Sequence, residues 1–172
     1  MRRQVKCVDT QQLADRDKCY KAADGKYYSS EAAYNFICKE TVWRNKTYDL
    51  CSEECGYYDG NKHFLPPIFK SMLKEWAADF GWECVYKTVY CLADDFKWAV
   101  TTKQFSNEFR KSSYIGAIIG NNIYKVHKSI VDREKQIKQA EQLAKQVNAD
   151  DMTMAQSNNK INDISSLLED DD

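Results

Sequence analysis

Residues 66–81 read PPIFKSMLKEWAADFG, and the architecture follows from how this stretch is punctuated. Pro66 and Pro67 suit the first turn of a helix, where a missing N–H costs little. Ile68, Phe69, Met72, Leu73, Trp76, Ala77 and Phe80 then recur at helical spacing until Gly81. An amphipathic helix is predicted. Further along, Trp82, Val85, Val89, Leu92 and Phe96 form a second stripe of the same period, and Phe105 with Phe109 opens a third. Ile115, Ile118, Ile119, Ile123, Val126 and Ile130 mark a last helix that starts near Ser113. Toward the N-terminus, Val5 to Val8 reads as a short strand. Cys19-Tyr20-Lys21 and Lys26-Tyr27-Tyr28 flank an Ala23-Asp24-Gly25 turn as a β-hairpin. Ser29 or Ser30 caps a helix from about Glu31 to about Thr41. Cys51 and Cys55 share one face of a further segment if it is helical.

The expected fold class is therefore α+β, mostly α. A small hairpin-helix module spans 1–62, a helical bundle with a long C-terminal helix spans 63–148, and a disordered acidic tail spans 149–172. Composition agrees: with 6 Gly and 2 Pro in 172 residues there are too few turn formers for a sandwich or barrel, and no Gly-rich phosphate loop occurs. Large side chains suffice for a core, since 13% of residues are aromatic. Met1-Arg2-Arg3 is followed by polar residues, and no apolar run reaches the length of a bilayer span. A cytoplasmic protein is expected, with its 7 cysteines reduced or ligating metal rather than in disulfides.

The net charge of −1 is unevenly spread. From Ala149 onward seven acidic residues face the single Lys160, a net of −6, so the first 148 residues carry +5. Between Asn121 and Asn148 the bases Lys125, Lys128, Arg133, Lys135, Lys138 and Lys145 outnumber Asp132, Glu134 and Glu141. Such an excess suits a phosphate backbone, because nonspecific nucleic-acid affinity comes mainly from counterion release. Tyr27, Tyr28, Tyr57 and Tyr58, interleaved with Lys26, Lys46 and Lys62, present the residue types of a base-stacking surface, or of the core and rim of a small domain built on tyrosines. Ile123, Ile130, Ile137 and Ala144 recur every seven residues, which permits a homo-oligomer through the long helix.

Zinc needs deprotonated soft ligands, and the close pair here is Cys51 and Cys55. His63 and one of Cys7, Cys19 or Cys38 would complete four-coordination, with Cys19 the preferred fourth ligand for one zinc. Catalysis has no comparable constellation. His63 and His127 stand near no nucleophile motif, and the adjacent carboxylates Glu53-Glu54 and Asp94-Asp95 do not face each other on a helix. A non-enzymatic protein is expected.

Two resemblances add to this reading. The stretch from Cys19-Tyr20 to Tyr34, ending GKYYSSEAAY, resembles the hairpin-then-helix core of treble-clef zinc fingers of the MYM and TRASH type. Ser29 and Ala33 stand where that pattern has ligands, and LCSEEC at 50–55 is similar to its helix-opening signature. The resemblance implies a metal-free relic of such a finger, packed by Tyr20, Tyr27, Tyr28 and Tyr34. The run KEWAADFGWECVYKTVYCLADD, followed by FSNEFRKSSYIGAIIGNNI, is similar to the helical C-terminal domain of DnaD-type replication proteins. Lys74, Trp76, Gly81 and Val85 match its first part, and Tyr114, Ile115, Ile118 and Ile119 its last. Asn121-Asn122-Ile123 departs from that pattern, and no winged-helix domain precedes it. That resemblance implies a phage-type protein contacting DNA and replication partners. The competing expectation is a protein-binding inhibitor or adaptor that engages a host nuclease, polymerase or defence complex through its helical domain and acidic tail.

Overall fold

The computed structural model describes residues 3–59 and 62–166, and the side chains of these except at 58, 59, 62, 63 and 147–166. Two compact units are present, one ending at His127 and the other beginning at Lys128.

The first unit opens with two small antiparallel sheets, β1 (Gln4–Lys6) with β2 (Leu13–Asp15) and β3 (Tyr20–Lys21) with β4 (Tyr27–Tyr28), and a third, β5 (Tyr58–Asp59) with β6 (Lys62–His63), follows its first long helix. The predicted hairpin is β3–β4. Gly25 closes its turn at φ +82°, and its amide donates to the Ala22 carbonyl at 3.0 Å. The Val8 amide donates to Tyr27 at 2.8 Å, which stitches the first hairpin to the second. The Asp9 carboxylate accepts from both the amide and the hydroxyl of Ser29, and these bonds hold its carboxyl below the usual range.

Helix α1 (Glu31–Glu54) starts where Ser30, in extended backbone, accepts from the Ala33 amide at 3.1 Å. The sequence suggested two segments here, and the structure joins them. No Gly or Pro lies between Thr41 and Cys51, and Thr47 and Ser52 spend their hydroxyls on the carbonyls of Trp43 and Tyr48, so no local competitor breaks the helix. Tyr34 packs against Tyr20 and Tyr28, with centroids 5.3 and 5.1 Å away, and so seats the hairpin on the first turns of α1.

Helix α2 (Pro67–Phe80) matches its sequence reading closely, and Gly81 separates it from α3 (Trp82–Cys91). Gly81 adopts φ +79° and ψ 153°, a region that essentially only glycine occupies. The predicted single stripe from Trp82 to Phe96 is split at Leu92, whose amide is shared between the Thr88 and Val89 carbonyls. Helix α4 (Ala93–Thr102) resumes with Asp94 and Asp95 in its first turn, where carboxylates favour a helix start. Helix α5 (Glu108–Ser166) begins earlier than the expected Ser113, because the Asn107 side chain accepts from the Arg110 amide at 2.9 Å.

The core of the first unit gathers Phe69 and Leu73 from α2, Val85 and Val89 from α3, Phe96 and Ala99 from α4, and Ile115, Ile119 and Ile123 from α5. Trp43 and Tyr48 of α1 meet Tyr86 and Trp82 of α3. Among the described residues no helix is long and apolar enough to cross a membrane.

Candidate nucleic-acid interface

All five basic residues singled out from the sequence, Lys125, Lys128, Arg133, Lys135 and Lys138, lie on α5 and are exposed. Lys125 belongs to the first unit and the other four to the second. At about 100° per residue, Lys128, Lys135, Lys138 and Lys145 fall within an arc of about 100° on the second unit's helix. Val131 and Gln142 complete that arc, which contains no carboxylate. The four ammonium groups are strung along about 25 Å, at about 1.5 Å of rise per residue. Arg133 stands more than about 100° away on the same helix, beside Ile130 and Ile137, so the helix does not bring it onto the lysine face. Lys145, which the sequence reading counted only in the charge balance, joins the face through its heptad spacing from Lys138.

The proposed stacking tyrosines fare differently. Tyr28 is 5% exposed and Tyr57 3%, so neither offers a ring to a nucleobase. Tyr57 instead anchors a buried knot. Its hydroxyl hydrogen-bonds the Ser112 hydroxyl at 2.8 Å, and burial pushes its acidity far out of the physiological range. The Lys111 ammonium donates to the Gly56 carbonyl at 3.0 Å and lies 4.3 Å from the Tyr57 ring centroid. This closes the C-terminal end of α1 on α5 and removes Lys111 from solvent. Tyr27 is half-buried, and the side chain of Tyr58 lies outside the described residues.

Exposed rings occur elsewhere. Trp98 and Tyr90 are both more than half exposed, and Tyr86 stacks on Tyr90 at 6.2 Å. Lys46 sits 4.8 Å over Trp43, and Lys103 stands between Trp98 and Tyr114 at 5.8 and 4.4 Å. Their i,i+3 and i,i+4 spacings, Trp43 with Lys46 and Tyr86 with Tyr90, were a sequence signal for these contacts.

The candidate zinc ligands are held in pairs. Cys51 and Cys55 are fully buried at the end of α1, where burial first and the neighbouring thiol second push the Cys51 thiol well up. Cys19 contacts Cys7, with the two sulfurs 3.4 Å apart, and burial likewise raises the Cys7 thiol. His63 is on β6, and its side chain lies outside the described residues. Among the described residues no three His, Cys, Asp or Glu side chains converge as metal ligands would. Zinc binds thiolate, so Cys51 and Cys7 would first have to give up protons that their burial retains. The other histidine, His127, sets its ring edge-on to Phe80 at 5.3 Å.

Residues 7–166 match a family model described as SPbeta prophage protein YorH. Comparison with curated proteins and with solved structures gives no match.

Proposed function

The chain belongs to the SPbeta prophage protein YorH family, and from that premise we propose that this phage protein is a non-enzymatic nucleic-acid-binding protein. The observation that carries the reading is the carboxylate-free lysine face of α5, Lys128, Lys135, Lys138 and Lys145. Four ammonium groups on one side of a helix can follow a phosphate backbone without reading sequence. The replication-associated role implied by the DnaD resemblance is the finer form of the same proposal. It draws support from Trp76, whose ring lies 3.6 Å from where a side chain would begin at Gly116 or Gly120, joining the two matched segments.

Titration of labelled single- and double-stranded DNA and RNA across a salt series tests this. A lysine face that neutralises four phosphates gives a log–log salt slope of about −3 to −4. Lys128→Glu with Lys135→Glu is expected to roughly halve that slope. Absence of salt-sensitive binding at micromolar protein overturns the reading.

A second reading has its own observation. Residues 149–172 carry −6, the charge of a segment that occupies a basic groove on a host protein complex. Removing residues after Asn148 separates the two. Tighter nucleic-acid binding on removal supports the first, because the deleted carboxylates no longer compete for the lysines, whereas loss of a protein partner supports the second.

A further inference from the structure

We propose that the second unit's helix pairs antiparallel with the same helix of a second copy of this chain, about a two-fold axis beside Ala149. Every described side chain from Asp132 to Gln146 is exposed, including Ile137 at 50% and Leu143 at 62%. A helix this long, with no tertiary face buried along that stretch, draws little stability from propensity alone.

The sequence laid on that helix shows two heptad lines. One runs Ile130, Ile137, Ala144, Asp151, Asn158 and Ser165; the other runs Arg133, Ala140, Val147, Met154 and Ile161. The large apolar residues thus occupy the first line in the N-terminal half and switch to the second line in the C-terminal half. In an antiparallel pair the first line of one helix meets the second line of its partner. A register in which Ile137 meets Ile161 also sets Ala144 against Met154, a small residue against a long one. The same register sets Arg133 against Ser165 and Ala140 against Asn158. Asp151 meets Val147 next to the axis, the one ionisable residue of that line, and a polar residue at such a position fixes register at some cost in stability.

Charge selects the orientation independently. A parallel pair would lay Arg133 on Arg133, Asp151 on Asp151, and the +3 segment 121–148 on its own copy. The antiparallel pair lays that segment along 149–166 of the second copy, where Asp150, Asp151 and Asp163 against Lys160 give a net of −2. A continuous helix cannot make this match within one chain. Lys128, Lys135, Lys138 and Lys145 occupy positions away from the seam, so pairing does not bury them, and the oligomeric state of nucleic-acid-free protein tests the proposal apart from nucleic-acid binding.

Sedimentation equilibrium on nucleic-acid-free full-length protein tests it. Twice the chain mass is expected at micromolar concentration, with association weakened by salt. Ile137→Glu and Ile161→Lys are each expected to raise the dimer dissociation constant roughly tenfold or more, with the far-UV circular dichroism of the first unit retained as the folding control. The two changes placed in one chain create two Glu–Lys layers if the pair is antiparallel, and association recovers. In a parallel pair they create Glu–Glu and Lys–Lys layers, and association weakens further, which overturns the orientation. A chain that stays monomeric throughout overturns the proposal.

Discussion

The two units of this molecule use the same secondary structure under opposite conditions. Up to His127, helices α2 to α5 sink apolar stripes into a shared core, so Phe69, Leu73, Phe96, Ile115 and Ile119 have no exposure at all. Beyond Lys128 the helix continues with good helix formers such as Lys, Gln, Glu and Ala, while Ile137 and Leu143 stay in solvent. The difference teaches that helicity and stability have separate sources here. Burial holds the first unit, and only propensity, or a partner, holds the second.

The largest test of that contrast is to cut into both units alike. Phe96→Ala is expected to cost about 3–5 kcal/mol in chemical denaturation, since it empties a fully buried site. Ile137→Ala, measured on the same unfolding transition of the first unit, is expected to fall within about 0.5 kcal/mol of the parent. Comparable losses at the two sites would break the comparison. Next comes the junction of α2 and α3: Gly81→Ala has room for its methyl but is strained at φ +79°, and a cost of about 1–3 kcal/mol is expected by thermal unfolding.

The buried knot sharpens the picture of the first unit. Ser112→Ala strands the Tyr57 hydroxyl and is expected to cost about 1–3 kcal/mol, whereas Ser112→Ala combined with Tyr57→Phe is expected to cost less than the sum of the single changes. A strictly additive cycle would show that the two hydroxyls do not depend on each other.

Smaller still is the contribution of helix-end electrostatics. Glycine cannot cap α3 with a side chain, and the Trp82 amide instead donates to the Glu40 carboxylate of α1 at 3.1 Å. Glu40→Ala is expected to cost about 1 kcal/mol, a capping loss delivered from another helix.

The smallest effect is in pH. Lys87 and then Lys39 hydrogen-bond Glu83 and hold its carboxyl below its ordinary value of 4.5. A carboxyl depressed in the folded state adds stability above that ordinary value and loses it as pH falls through the lower folded one. Glu83→Gln is therefore expected to flatten the acid limb of the stability curve below about pH 4.5, with little change near neutrality. An unchanged acid limb would show that these surface pairs contribute nothing measurable.

How much of this was legible beforehand depended on how local the cause was. Pro66-Pro67 and Gly81 punctuate α2 within the stretch itself, and Asp24-Gly25 writes its own turn, so both were readable. The uninterrupted α1 was not, because its middle, VWRNK, has a weak stripe and is held by rings of α3 that lie some forty residues on. The break at Leu92 also escaped notice, since the apolar spacing carries through it unchanged. At the candidate site the lysine face was legible because helical periodicity alone assembles it. Tyr57 could be either a stacking ring or a core ring on sequence alone, because the partner that buries it, Ser112, is 55 residues distant, and one sequence gives no sign of that pairing.

The close approach of α5 to α2 leaves a mark that evolution should preserve. A side-chain carbon at Gly116 would run into the terminal methyl of Met72, while the ring of Trp76 waits at 3.6 Å. Relatives that carry alanine or serine at position 116 are therefore expected either to swing the methionine at position 72 aside or to carry a shorter residue there. The two positions are expected to vary together through the family more often than chance, the flexible methionine absorbing part of the change.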